Sequence, residues 1–530
     1  MAREWSFKIT RDQWILLAIL SLGLFLRIYD LGKESLWIDE VVSIRLAHQS
    51  FSAIIMDRTR NVHPPFYFLL EHGWVGLFGD SEFAARFLSV IFGFFAILMI
   101  YQVGRLLFDK EVGLFASLLL ALSTFHIRFS QEARSFSLMV LLTLTSIYFL
   151  LKIQLGETRP WDSIAYALST VLLIYTHYYG LFIVIAENLY VASAPLLFKK
   201  EPRIHFQRWI FLQMSVILLF APWIPILFKQ FWRVQKKGAF SGAAVPSLEA
   251  LYKTFWFYSG NRMLMALLVL LAFLSLATYS RKPRDSTLDK GLPAPREESQ
   301  AVAYADSHKF YLLSLWLIIP IALPFLASQF SSPIYSMKYT IGASPAFYLL
   351  AAKGIKNLMY APAKLAVTII LVALCLTNAW GYYQNVQKEQ WREIARFIDG
   401  SAKPGDLLLF NAGFSQRGLD YYSGRADLIK EPFPQKGSRV DGETLKELAP
   451  AVKSHDRVWV ILSHSRDDKG LIVQTLGKTF RVLYHQKFLS GGPDWGSTLK
   501  RIDVYLFEKP EGSLGTAIQG NQKGQACRIR

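Results

Sequence analysis

The chain has 530 residues, of which 52% are hydrophobic, 15% aromatic and only 18% charged. A soluble globular chain carries about 25% charged residues, so disorder, a coiled coil and a disulfide-rich secreted module are excluded and an integral membrane protein is indicated. The formal net charge of +18 fits the positive-inside bias of membrane proteins, and its cations are scattered between apolar segments instead of forming the stripe that nucleic acid requires.

A membrane-crossing helix needs about 20 apolar residues. In chain order, about eleven segments meet that need: 13–31, 84–107, 111–128, 134–153, 161–177, 180–198, 208–228, 263–280, 309–330, 342–359 and 363–384. The first run, Trp14 to Tyr29, has no small-residue cleavage site and reads as an uncleaved anchor. Lys and Arg in the short connections favour a cytoplasmic N-terminus, although the outer loop 229–262 is also basic. That orientation puts the C-terminal region outside. Cys375 lies in an apolar run and Cys527 in the polar tail, so no bridge joins them.

The first outer loop, 32–83, is far longer than a tight helix connection. It carries Ser35-Leu36-Trp37-Ile38-Asp39-Glu40, then Ser43 and Arg45, then Asn61-Val62-His63-Pro64-Pro65-Phe66-Tyr67. Val41 to Met56 has the period of one amphipathic surface helix. Taken alone, Asp39-Glu40 reads equally well as an ordinary first-turn acid pair. The later outer turns hold Ser130-Gln131-Glu132-Ala133-Arg134, Thr176-His177-Tyr178-Tyr179 and Pro333 to Tyr339 with Lys338. Each has a plain structural alternative: a surface ion pair, belt aromatics or a core histidine. Their shared side of the membrane is what argues for an outward-facing site. Glu187, inside a predicted span, must pair or face a wet cavity, because a charge there costs about 2.5–3.5 kcal/mol.

Residues 281–308 are polar and read as a cytoplasmic linker. From 387 to 510 the pattern changes to alternating runs at Asp406–Asn411, Arg457–Ser463, Arg481–Phe488 and Ile502–Glu508, with helical periods at Trp391–Asp399 and Asp467–Leu476. This predicts a small soluble α/β domain. The tail 511–530 is rich in Gly, Gln and Lys and reads as disordered. The expected organisation is a membrane domain over 1–386, the α/β domain over 387–510, and the tail. Ser490-Gly491-Gly492-Pro493 does not match a phosphate-binding loop.

Several stretches resemble integral-membrane glycosyltransferases of the GT-C type, the group of protein O-mannosyltransferases, lipid A aminoarabinose transferases and bacterial relatives. They are Trp37-Ile38-Asp39-Glu40, His63 to Leu70, Gln131 to Phe136, Thr176-His177-Tyr178 and Lys338-Tyr339 before Pro345. Trp391-Arg392-Glu393, Pro404-Gly405-Asp406 and Asp420-Tyr421-Tyr422 also look like bacterial members. The resemblance covers most of residues 14–425. It implies a polytopic α-helical GT-C fold with a small extracytoplasmic domain, in the inner membrane, with the long loop outside the cytoplasm. It also implies inverting transfer of a sugar from a polyprenyl-phosphate donor to a hydroxyl on protein, lipid or envelope glycan.

Phosphate is a good leaving group, so such a reaction needs a base for the acceptor and cations for the departing charge. By match to the family, Asp39 is expected as general base and Glu40 as its neighbour, orienting the acceptor or a metal. His63 is expected to hydrogen-bond donor or acceptor. Arg134 and Lys338 with Tyr339 are expected at the donor phosphate. Glu132, His177 and Arg45 are second-tier candidates. Many relatives have Arg where Lys338 stands, and Lys lacks the bidentate fork. Metal use stays open: Asp39, Glu40, His63 or His177 could supply ligands. Two other classes compete. A flippase for lipid-linked saccharides would show charges in many spans and internal symmetry, whereas Glu187 stands out alone. A glycan-binding receptor would leave the first-loop acids without a role.

Overall fold

The computed structural model describes residues 10–156, 159–198, 206–237, 245–280, 296–386, 388–489 and 501–510. Cys527, the predicted tail, Ser490–Pro493 and the first part of the predicted linker lie outside them. The chain divides into two compact units, one formed from Met1–Lys33 and Val42–Asn385, the other from Glu34–Val41 and Val386–Arg530.

The first unit is helical. Among the described residues, six helices are long and apolar enough to cross a membrane: Glu82–Leu107, Phe136–Gln154, Gly180–Leu197, Phe206–Lys236, Ser307–Phe330 and Ala361–Gln384. Two bent pairs bring the number to eight: Lys110–Leu122 with Thr124–Ser130, bent by 62°, and Leu248–Ser259 with Arg262–Leu276, bent by 93°. The three other predicted spans are also helices. Arg11–Ile28 carries Arg11, Asp12 and Arg27 within 18 residues. Pro160–Thr176 has 17 residues. Ser344–Lys356 has only 13, because Met337–Ala343 before it winds as a 3-10 helix and Pro345 starts a new one.

Arg27 is fully buried. The bend at Ser123 leaves the last carbonyls of Lys110–Leu122 without helical partners. Arg27 supplies them, donating to Leu120 O and Ala121 O at 3.1 Å each, to Gly23 O at 2.9 Å and to Ser130 Oγ at 3.2 Å. One charged side chain thus satisfies a broken helix where bilayer offers no hydrogen bonds. Glu187 is settled similarly: Ser146 Oγ donates to it at 2.7 Å and Tyr166 OH at 2.8 Å. Its neighbours are neutral hydroxyls, so the predicted need for compensation is met by hydrogen bonds.

The first loop differs from the expectation of one amphipathic helix over Val41–Met56. It folds as three helices, Ile38–Ala47, Phe51–Arg60 and Phe66–Phe78. Ser50 accounts for the interruption, since its side chain accepts the Ala53 N–H and starts a new helix. The predicted linker also needs correction: Arg296–Phe330 is one helix, so the linker's second half continues into the span.

The second unit is a five-stranded sheet of β1 Leu407–Asn411, β2 Ile429–Pro432, β3 Arg457–Leu462, β4 Arg481–Leu489 and β5 Arg501–Glu508, in the order β2-β1-β3-β5-β4. β1 is parallel to β2 and β3, and β5 is antiparallel to β3 and β4. Alternate residues face opposite layers. Leu408, Phe410, Trp459, Ile461, Val504 and Leu506 pack with Trp391, Ile394 and Ile398 of the helix Trp391–Ser401. Leu407, Leu409, Val458, Val460 and Phe507 face Leu448, Val452, Ile472 and Leu476 on the other side. Sequence alternation finds four strands and misses β2, a short edge strand that reads Ile-Lys-Glu-Pro.

Candidate active site

The acid pair begins a helix. Asp39 and Glu40 occupy the first turn of Ile38–Ala47, where carboxylates complement the helix dipole. Their roles differ. Glu40 is fully buried, and its Oε2 accepts the Trp37 N–H at 3.3 Å, which is how a third-position acid closes a helix start. Its Oε1 lies 3.9 Å from Lys388 Nζ. Asp39 is half-exposed.

Residues 34–41 pack with the second unit. Ile38 joins the core around Trp391, a burial worth roughly 1.5–3 kcal/mol. Ser35 Oγ donates to Glu389 O at 2.5 Å, and Leu36 N–H donates to Tyr422 OH at 2.6 Å. Glu389 Oε2 accepts the Ile38 N–H at 3.1 Å and Trp391 Nε1–H at 2.6 Å. Its Oε1 stands 3.3 Å from His464 Nε2. Burial pushes the Glu389 carboxyl up. His464, Trp391 and Ile38 draw it back, and Asp39 adds to the rise. Sequence reasoning does not find Glu389, whose principal partner is 351 positions away.

The cations gather in the first unit. Gln131-Glu132-Ala133-Arg134 links the helices Thr124–Ser130 and Phe136–Gln154. The first two residues brace it. Gln131 Nε2 donates to Arg27 O and Tyr29 O and its Oε1 accepts from Tyr382 OH, while buried Glu132 stands 3.6 Å from Arg128. Arg134 is 6% exposed, with Nη1 at 3.5 Å from Ser43 Oγ. Arg45 is exposed, and no described contact joins it to Arg134.

Lys338 and Tyr339 lie on Met337–Ala343, pinned by Trp316 Nε1–H to Gly342 O and by Tyr258 OH to Thr340, at 2.8 and 2.7 Å. The histidine turn is tied to the same stretch. Tyr179 OH donates to Ile334 O at 2.8 Å and accepts the Ser336 N–H at 3.2 Å. The His177 and Tyr339 rings are consequently 4.7 Å apart, with His63 at 5.7 Å from His177 and 6.2 Å from Tyr339. Lys338 Nζ stands 5.5 Å from the Tyr339 ring centre and 6.0 Å from that of Phe136.

The imidazoles register the surrounding charge. Burial, then Arg134 and Lys338, hold His177 down to about 3. Loss of water contact, then Arg134, His177, Arg58 and Lys338, hold His63 well below its ordinary value. Both rings are therefore neutral near pH 7. Arg58, which sequence reasoning missed, stacks its guanidinium 4.4 Å over Phe68 and pairs with Asp57. His177 Nδ1 accepts the Tyr179 N–H at 3.2 Å, which places the remaining proton on Nε2. That Nε2 is buried without a hydrogen-bond partner among the described residues. Also among the described residues, no three His, Cys, Asp or Glu side chains are grouped as a metal site.

Residues 62–226 match the dolichyl-phosphate-mannose-protein mannosyltransferase family. No curated protein matches at the level of sequence. Among solved structures, ArnT from Cupriavidus metallidurans bound to undecaprenyl phosphate is similar at a TM-score of 0.56 and 14% identity, over 94% of this chain and 98% of that one. The oligosaccharyltransferase AglB from Archaeoglobus fulgidus, in complex with an inhibitory peptide and a dolichol-phosphate, is similar at 0.54 and 11% identity, over 94% of this chain and 76% of that one. At such identities the likeness is one of fold. The chain is a polytopic membrane protein with the GT-C fold, similar in sequence over residues 62–226 to the dolichyl-phosphate-mannose-protein mannosyltransferases.

Proposed function

We propose that the protein transfers a sugar, with inversion, from a polyprenyl-phosphate carrier to an acceptor hydroxyl of a protein, lipid or envelope glycan on the outer side of the inner membrane. The observation that carries this reading is the grouping of the His63, His177 and Tyr339 rings 4.7 to 6.2 Å apart beside Lys338, with the buried His177 Nε2–H unmet among the described residues and Arg134 and Lys338 acting on both imidazoles. Such a cluster suits an anion that also needs apolar surroundings. A phosphorylated isoprenoid is both, and undecaprenyl phosphate and dolichol-phosphate are bound by the two similar structures.

In this scheme Asp39 takes the proton from the acceptor hydroxyl. The acceptor oxygen forms a bond to the anomeric carbon from the face opposite the carrier. The bond between that carbon and the phosphate oxygen breaks, and its electron pair leaves with the phosphate. Arg134 and Lys338 stabilise the charge as it grows, which needs donors already in place. Lys338 acts as a point charge on a pinned backbone, so it lacks the planar fork of an arginine. His177 donates Nε2–H to a phosphate oxygen, and His63 adds a second neutral ring at the same place. Glu40 holds the helix start. No step is routed through a metal.

The test uses purified protein in vesicles, a lipid-linked sugar and an acceptor extract. Sugar transfer by the native protein and its loss in Asp39→Asn, with unchanged membrane insertion, is the expected result. Passage of intact donor across the bilayer without transfer would instead select a flippase.

A further inference from the structure

The scheme leaves the second unit without a task. One of its internal ties is to the segment that bears the acid pair. Ser35, Leu36 and Ile38, three of the four residues before Asp39, each hydrogen-bond a residue from the far end of the sequence: Glu389, Tyr422 and Glu389 again. Between them, Trp37 is bonded back to Glu40. Ile38 is also 6% exposed in the core built on Trp391.

Glu389 concentrates these ties. It is 4% exposed. A buried carboxylate is retained at a cost unless its lone pairs are met by donors. Here they are met by the Ile38 N–H, the Trp391 indole N–H and the imidazole of His464. The Ile38 N–H is the backbone donor immediately before Asp39. The carboxylate thus fixes where the helix Ile38–Ala47 begins, and with it the direction in which Asp39 leaves the backbone. A loop held only by its own hydrogen bonds would let that direction wander, and an error of about 1 Å in a reacting group costs on the order of a hundredfold in rate.

We propose that Glu389 is a positioning residue for transfer, and that through it the C-terminal unit sets the orientation of Asp39. This rests on the reading of Asp39 as the base. Glu389 touches no substrate in this scheme. Its carboxylate holds the Ile38 amide, the Trp391 ring holds the carboxylate, and the acid follows from that alignment. Tyr422 is a second, independent fastening through the Leu36 amide.

The test compares Glu389→Ala, Glu389→Gln and Tyr422→Phe with the native full-length protein in vesicles, using lipid-linked sugar and acceptor. Glu389→Ala is expected to lower kcat by about ten- to a hundredfold while KM for the lipid donor stays within about twofold. Glu389→Gln keeps a carbonyl oxygen for the Ile38 N–H and is expected to recover part of the lost rate. Tyr422→Phe is expected to lower kcat by a smaller factor. Hydrogen exchange at the amides of Leu36 and Ile38 is expected to quicken in Glu389→Ala, with amides of Leu408 and Val460 in the sheet unchanged. Native kcat in Glu389→Ala, with Asp39→Asn inactive, overturns the positioning role and leaves the proposed function standing. Equal losses in Glu389→Ala and Glu389→Gln, with exchange quickened throughout the sheet, also overturn it, because the residue would then serve only to fold the unit. Absence of transfer in the native protein removes the proposed function itself, and the exchange measurement still decides whether Glu389 fastens the segment.

Discussion

The acid-bearing segment and the cation cluster handle buried charge in opposite ways. Around Asp39, each buried carboxylate is met from within: Glu40 by the Trp37 amide, Glu389 by Ile38, Trp391 and His464. Around Arg134, burial and then nearby cations hold the rings of His63 and His177 below their ordinary values. One buried imidazole N–H, that of His177, has no partner among the described residues. The first arrangement ties its buried carboxylates to donors of its own unit and fixes geometry. The second offers a buried imidazole N–H that an anion can accept.

Variants can break this contrast in graded steps. The largest effect is expected from Asp39→Asn, which removes the proposed base and should lower kcat by about 10²–10⁴-fold, read as radiolabelled sugar transferred per minute. Arg134→Ala should cost about 10²–10³-fold in kcat, the range for loss of one preorganised donor to developing charge. Binding of polyprenyl phosphate should weaken in the same variant. Lys338→Ala should lower kcat by a smaller factor, and Lys338→Arg should keep most of the native rate, because charge matters there more than fork geometry. If Lys338→Arg were as slow as Lys338→Ala, a point-charge role would be wrong.

His177→Phe keeps a ring and removes Nε2–H, and should weaken polyprenyl phosphate binding by about tenfold, the value of one hydrogen bond to a charged group. The native His177 should keep the nuclear resonance signature of a neutral imidazole from about pH 8 down to about pH 5. Its folded value lies below the ordinary one, so the stability tied to the neutral ring is complete above about 6.5 and is lost as pH falls toward about 3. The smallest effect is expected for Glu132→Gln. It replaces one member of the pair with Arg128, and transfer should stay within a few-fold of native, with a lowered melting temperature as the main change.

Much of this architecture is legible in the sequence, for a physical reason. A span must be apolar along its whole length, so the segment 363–384 is found nearly as it is observed, Ala361–Gln384. Breaks are harder. Gly260 at φ 90 ends Leu248–Ser259, a helix that sits in the stretch read as a basic loop. The motif residues His63, His177 and Tyr339 are gathered as a group beside Lys338, while Glu132 pairs with Arg128 and Gln131 bonds to Arg27 and Tyr29. Arg58 went unseen because its helix, Phe51–Arg60, carries the period of a surface segment. Glu389 went unseen because its partner Ile38 lies 351 residues upstream, and only the folded chain brings the two within 3.1 Å.

That separation has a consequence for biogenesis. The amide contact from Ile38 to Glu389 closes a span of 351 positions, among the costliest closures in the chain by entropy, though the penalty grows only logarithmically with length. A ribosome finishes the last described membrane helix, Ala361–Gln384, before it makes the partner of Ile38. Until that later stretch is made, Ser35, Leu36 and Ile38 lack their partners Glu389 and Tyr422. A version shortened after residue 386 is expected to insert normally and to show no sugar transfer in the vesicle assay.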